Sequence, residues 1–233
     1  MAGPSWWGMA VLVAQKDLRI EGRSREVLYT MGFLAALVAL VFSFAFISGQ
    51  EISIGPDGVA GILWVAVLFS GTVALSRAFD RERENEALRS LLLSPAPRSA
   101  IYAGKLVATA AIMLLVEVLL LPLLAVLFSA SVSEHPLWLA LLLFLGTLGF
   151  CSVGVIFSAA LLRSRSRDAL LGALLFPVVI HILLAASRGT AYLLDPDAPS
   201  LDPAMFWTRF LAALDAIFVV IGLWSFEPVV SGE

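Results

Sequence analysis

Three ionisable residues stand inside long apolar runs: Glu117 in IMLLVEVLLLP, His181 in FPVVIHILLAA and Asp215 in FLAALDAIFVV. A charge near the centre of a hydrocarbon layer costs at least about 2.5–3.5 kcal/mol, so groups that persist there face protein or water. Two roles fit Glu117 and Asp215: lining a substrate path, or locking helices together through hydrogen bonds. Enzymatic readings find little support. There is no H-E-x-x-H, no G-x-S-x-G, and only two histidines, His135 and His181. Gly104-Lys105 lacks the earlier glycine and the following hydroxyl of a phosphate-binding loop, so the chain is not expected to hydrolyse ATP by that route. One cysteine, Cys151, excludes an internal disulfide and a Cys-rich metal site. No catalytic set and no metal set is expected.

A second group of residues suits recognition. RAFDRERENEALRSLLLSPAP, residues 77–97, carries Arg77, Asp80, Arg81, Glu82, Arg83, Glu84, Glu86 and Arg89 in a chain that is only 14% charged. Opposite charges recur at i, i+3, as in Asp80–Arg83, Arg81–Glu84 and Glu86–Arg89, and the composition favours helix. Leu88, Leu91 and Leu92 add an apolar stripe, and Pro95 and Pro97 end the pattern. Ser99 is placed to cap the third apolar run. A mixed-sign helix with a leucine face suits docking on a partner better than a loop that only sets topology.

These residues must be held by membrane helices. With 60% hydrophobic residues and a mean hydropathy of +0.95, a chain of 233 residues has too little interior to hide its apolar surface from water. Six continuous runs are long enough to span a bilayer: 27–47, 58–76, 101–128, 137–162, 169–187 and 204–226. The expected fold is all-α, one permease domain of six transmembrane helices over residues 1–233, with tilt or a kink at Pro122 and a kink at Pro177. Gly146, Gly149 and Gly154 suit close helix packing, Cys151 packing, and Arg163, Arg165 and Arg167 anchoring of the fourth span's end. Before the first span, Trp7, Val11, Ala14 and Leu18 share one helical face opposite Lys16 and Arg19, as in an interfacial amphipathic helix, and no cleaved signal peptide is expected. Thirteen of the fifteen Lys and Arg fall on one side if the spans alternate, which puts both termini and the 77–97 segment in the cytoplasm.

ERENEALRSLLLSPAP resembles the cytoplasmic motif of type-2 ABC exporter membrane subunits. FDREREN…LRSLLLSPAPRSAIYAGK, with VEVLLLP and FLGTLGF further on, is similar to the cytochrome c maturation protein B family (CcmB, haem exporter protein B) over essentially the whole chain. Phe79, Glu82 and Pro95 fit the family motif, whereas Glu86 replaces its usual Gly and Arg89 its usual Glu. The resemblance implies a membrane subunit of an ABC-type complex in the bacterial inner membrane, serving haem export or delivery in c-type cytochrome maturation. It implies an ATP-binding partner (CcmA-like), CcmC-like and CcmD-like membrane proteins and a CcmE-like haem chaperone, with membrane lipid around it and no nucleic acid. The ATP-binding subunit would dock on Phe79, Asp80, Arg81, Glu82, Arg83, Glu84, Glu86, Arg89, Leu92 and Pro95. No tightly bound cofactor is expected; haem is a handled ligand, and His181 is a candidate for its iron as well as for a structural hydrogen bond. Two other functions stay open: an exporter subunit for another apolar or amphipathic substrate, and a scaffold that transports nothing.

Overall fold

The computed structural model describes residues 5–48, 51–52, 54–80, 97–130, 135–162, 164 and 166–231. Seven helices appear among them: α1 (Trp6–Ser24), α2 (Glu26–Phe46), α3 (Pro56–Arg77), α4 (Arg98–Phe128), α5 (Pro136–Ala160), α6 (Arg167–Leu194) and α7 (Asp202–Ser231). A two-residue hairpin, β1 (Ile47–Ser48) with β2 (Glu51–Ile52), turns the chain between α2 and α3. Helices α2 to α7 are each long and apolar enough to cross a membrane. The molecule is a polytopic membrane protein.

The six spans lie where hydropathy puts them, but several helices outrun their apolar runs. Pro56 and Pro136 sit in the first turns of α3 and α5, where a proline's missing N–H costs no helical bond. At the other extreme α6 continues past Arg188 to Leu194, because polar residues end a hydropathy window without ending a helix. Pro122 and Pro177 interrupt neither α4 nor α6.

Helix α5 is the hub. It packs against α4, α6 and α7 and also touches α3. Its most apolar stretch is 67% buried, and that of α3 is 61%, against 22% for α2 and α7, which therefore form the periphery. The close approaches rest on small residues. Gly146 faces the Trp64 ring and Gly154 faces Leu75, so any side chain at either would collide with α3. Polar contacts fix the seams: Trp64 Nε1 donates to Thr190 Oγ1 at 2.9 Å, and Tyr102 Oη donates to the Ser152 carbonyl at 3.0 Å. Cys151 is buried with its Sγ 3.3 Å from Met113 Sδ, as a packing residue would be.

Helix α1 departs from the simple interfacial picture. Trp7, Val11 and Leu18 remain exposed, but Ala14 turns inward with Ala10 and Val13. Ala10 and Val13 pack on α4 at Gly104, whose bare Cα leaves room for the Ala10 carbonyl and the Val13 side chain. Ser99 does not cap α4. Its hydroxyl accepts the indole N–H of Trp6 at 2.9 Å, and the cap position is Pro97.

Candidate functional site

The docking segment enters the described structure through residues 77–80 and Pro97 only; Arg81, Glu82, Arg83, Glu84, Glu86, Arg89, Leu92 and Pro95 lie outside the described residues. Phe79 and Asp80 are described, and they form the point where that segment joins the bundle. The last carbonyls of a helix have no amide partners within it and carry its negative pole. At the end of α3 two buried cations from different helices meet these groups.

From α6 comes Arg167, 3% exposed. Its Nη1 donates to Asp80 Oδ1 at 2.6 Å, and its Nη2 to the Leu75 carbonyl at 3.3 Å and to Ser158 Oγ of α5 at 3.0 Å. Ser158 Oγ in turn donates to the Leu75 carbonyl at 2.5 Å, so α3, α5 and α6 share one polar knot. From α4 comes Lys105, whose Nζ donates to the Ala78 carbonyl at 2.6 Å, pairs with Asp17 of α1 at 3.0 Å, and sits 4.8 Å over the Phe79 ring. Phe79 is fully buried and stacks on Phe226 of α7. Around these, Arg77 pairs with Glu26 of α2 at 2.5 Å and Arg98 with Glu227 of α7 at 3.6 Å. Residues 77–80 are thus tied directly to α2, α4, α6 and α7, and through Lys105 and Arg167 to α1 and α5. A displacement of Asp80 cannot be absorbed by α3 alone.

Several of these partners were not foreseen from sequence. Lys105 enters the sequence reading only as one of the basic residues that set topology, and Arg167, expected to anchor the end of α5, bonds Ser158 there but also opens α6 and reaches back to Asp80. The available signal was the placement of Lys105 inside an apolar run, IYAGKLVA, where a cation needs partners.

The intramembrane candidates do not converge on one site. Glu117 Oε1 accepts from Thr147 Oγ1 at 2.5 Å, while its Oε2 has no partner among the described residues. Asp215 is buried against Gly149, and neither of its oxygens has a partner among the described residues. Thr147 and Gly149 are two positions apart, about 200° around α5, so the two carboxyls face opposite sides of that helix. His181 lies on the exposed face of α6 with Ile180 and Leu184 and makes no hydrogen bond among the described residues. The expectation of a histidine bonded inside the bundle is corrected: the buried face of α6 uses Val179, Ile182 and Leu183 instead.

Six helices long and apolar enough to cross a membrane, with the start of the charged segment held by buried ion pairs, define a multi-pass membrane protein. A family model described as CcmB protein matches residues 9–230, and the chain belongs to that family. It is 29% identical to "Heme exporter protein B" of Haemophilus influenzae over 178 residues, 75% of this chain and 78% of that protein. The same-named protein of Pseudomonas aeruginosa is 26% identical over 178 residues, with 76% and 78% covered. That of Escherichia coli K12 is 32% identical over 99 residues, with 40% and 41% covered.

Proposed function

We propose that this chain is the membrane subunit of an ABC-type complex that exports or delivers haem for c-type cytochrome maturation, in the bacterial inner membrane with both termini cytoplasmic. A CcmA-like subunit hydrolyses ATP and grips residues 79–95; CcmC-like and CcmD-like proteins and a CcmE-like chaperone complete the complex. The observation that carries the coupling role is the junction at Phe79 and Asp80. A partner that favours one position of the docking segment favours one arrangement of the helices only if that segment is rigidly tied to them, and Arg167 and Lys105 supply the tie. The names of the relatives supply the haem.

Deletion of the gene followed by a haem stain for c-type cytochromes, with tagged copies used to recover the ATP-binding subunit, tests the reading. The expected result is loss of all c-type cytochromes with other haem proteins retained, and co-purification of the ATPase. Normal c-type cytochromes would remove the haem assignment. Failure to recover any ATPase would remove the coupling role.

A further inference from the structure

A cavity of about 270 Å³ opens where α1 and α2 meet the ends of α3 and α4. Its polar wall holds four carboxylates, Asp17, Glu21, Glu26 and Asp80, against two cations, Arg77 and Lys105. Three of the carboxylates are matched: Asp17 by Lys105, Glu26 by Arg77, and Asp80 by Arg167 from behind the wall. Glu21 is not. Its Oε1 accepts the Leu28 N–H at 2.9 Å, and it has no cation among the described residues. On the facing wall Thr109 is 6% exposed, and its hydroxyl has no hydrogen-bond partner among the described residues. Arg77 spends one nitrogen, Nη1, on Glu26, leaving most of its five N–H donors for another acceptor.

The cavity therefore offers an unmatched anion at one place and unused donors, Thr109 and Arg77, at another. The one unmatched carboxylate, Glu21, suits a single cationic group, and the Thr109 and Arg77 donors suit an anionic one, so a zwitterion fits both. Apart from Ser24, the rest of the wall is apolar: Ile20, Val27, Ala74, Ala78, Ala108 and Ile112. Ile112 lies seven residues beyond Lys105 on α4, about 10 Å deeper along the helix axis. Polar at the mouth and apolar at depth, the space lies beside α1, whose exposed Trp7, Val11 and Leu18 mark head-group level.

We propose that this cavity holds the head group of an ethanolamine phospholipid, its ammonium on Glu21, its phosphodiester on Arg77 and Thr109, and its glycerol end against Ala108 and Ile112. A lysine or arginine from a protein partner would satisfy Glu21 but leave the Thr109 and Arg77 donors and the apolar depth unused. The cavity shares Arg77, Asp80 and Lys105 with the junction described above, but lipid retention is read without transport and does not depend on the transport reading.

The test is native mass spectrometry of the detergent-purified chain supplied with phosphatidylethanolamine, phosphatidylglycerol or soluble O-phosphoethanolamine. Wild type is expected to retain phosphatidylethanolamine several-fold over phosphatidylglycerol. Glu21→Gln, which keeps the acceptor for Leu28, is expected to abolish the preference, and the isosteric Thr109→Val to lower retention several-fold. Arg188→Gln, at the opposite end of the molecule, is expected to change neither. Equal retention of the two lipids by wild type, or an undiminished preference in Glu21→Gln, overturns the proposal. Displacement of the lipid by equimolar O-phosphoethanolamine also overturns it, because the occupant would then be a soluble amine.

Discussion

Asp80 and Arg167 differ in how far each reaches water: the Asp80 side chain is 37% exposed and that of Arg167 only 2%. That asymmetry decides what their removal does. Asp80→Ala strands a buried guanidinium, and stranding one partner of a buried pair costs about 3 kcal/mol or more. Arg167→Met leaves Asp80 to be hydrated and Leu75 still bonded to Ser158, so its cost falls to about 1 kcal/mol. The double variant is expected to lose less than Asp80→Ala alone, since the stranded charge is gone. Thermal unfolding in detergent of the three variants checks this; equal losses in both single variants would mean that the pair is not buried as described. Among the intramembrane acids, Glu117→Gln keeps an acceptor for Thr147 and is expected to retain most c-type cytochrome yield. If Asp215→Asn fails at normal protein levels, ionisation at Asp215 is required; activity equal to wild type would end a functional reading of that position. Both acids could be read from sequence as improbable residues in a span. Their surroundings could not, because Thr147 is 30 residues from Glu117 and nothing local joins them.

At the scale of elements, the docking segment and α1 make opposite demands. The proposed docking role needs the helix expected from sequence over 77–97 to fit a partner, so Ala87→Pro, at a propensity cost of about 3 kcal/mol, is expected to uncouple the complex more severely than charge reversal at Glu82 and Glu84 to Lys. Both variants should reach the membrane at normal levels, and recovery of the ATP-binding subunit together with c-type cytochrome yield measures the difference. Normal values in both would reduce the segment to a topology anchor. Helix α1 depends on one bare backbone position. Gly104→Val places side-chain atoms against Ala10 and Val13 and is expected to cost about 1–3 kcal/mol through overpacking. It should also shift Trp6 away from Ser99, which indole fluorescence would register; an unchanged spectrum and melting point would argue against the seam. This seam was not legible in advance. Its residues are Ala10, Val13, Ala14 and Gly104, small and apolar, which carry no hydropathy signal to set them apart from residues that face lipid.

For the molecule as a whole, hydropathy alone was enough to find six spans, because a bilayer forces every crossing to be a long apolar helix. It could not order them. Which spans sit at the centre depends on where glycine and polar residues fall on each face, and α5 is central because Gly146, Gly149 and Gly154 let α3, α6 and α7 approach. With six crossings, the ends of α1, α3, α5 and α7 share one side, and the contacts of Trp6 with Ser99 and of Arg98 with Glu227 agree. Reporter fusions after Asn85, Ser166 and Gly232 are expected to read cytoplasmic, and those after Gly55, Pro136 and Pro196 external. One robustly inverted loop would contradict the assignment of sides.

The bond between Trp6 and Ser99 joins residues 93 apart in sequence, and that distance has a meaning in time. A ribosome adds about 5–20 residues per second, so α1 is finished some 5–20 s before the helix it belongs to has emerged. During that interval the first helix has no protein surface on which to bury Ala10 and Val13. The outward Trp7, Val11 and Leu18 give it somewhere else to wait: the bilayer surface, beside the site where later spans arrive. On this view the amphipathic character of α1 serves assembly first, keeping a nascent segment parked until α4 and its glycine come within reach.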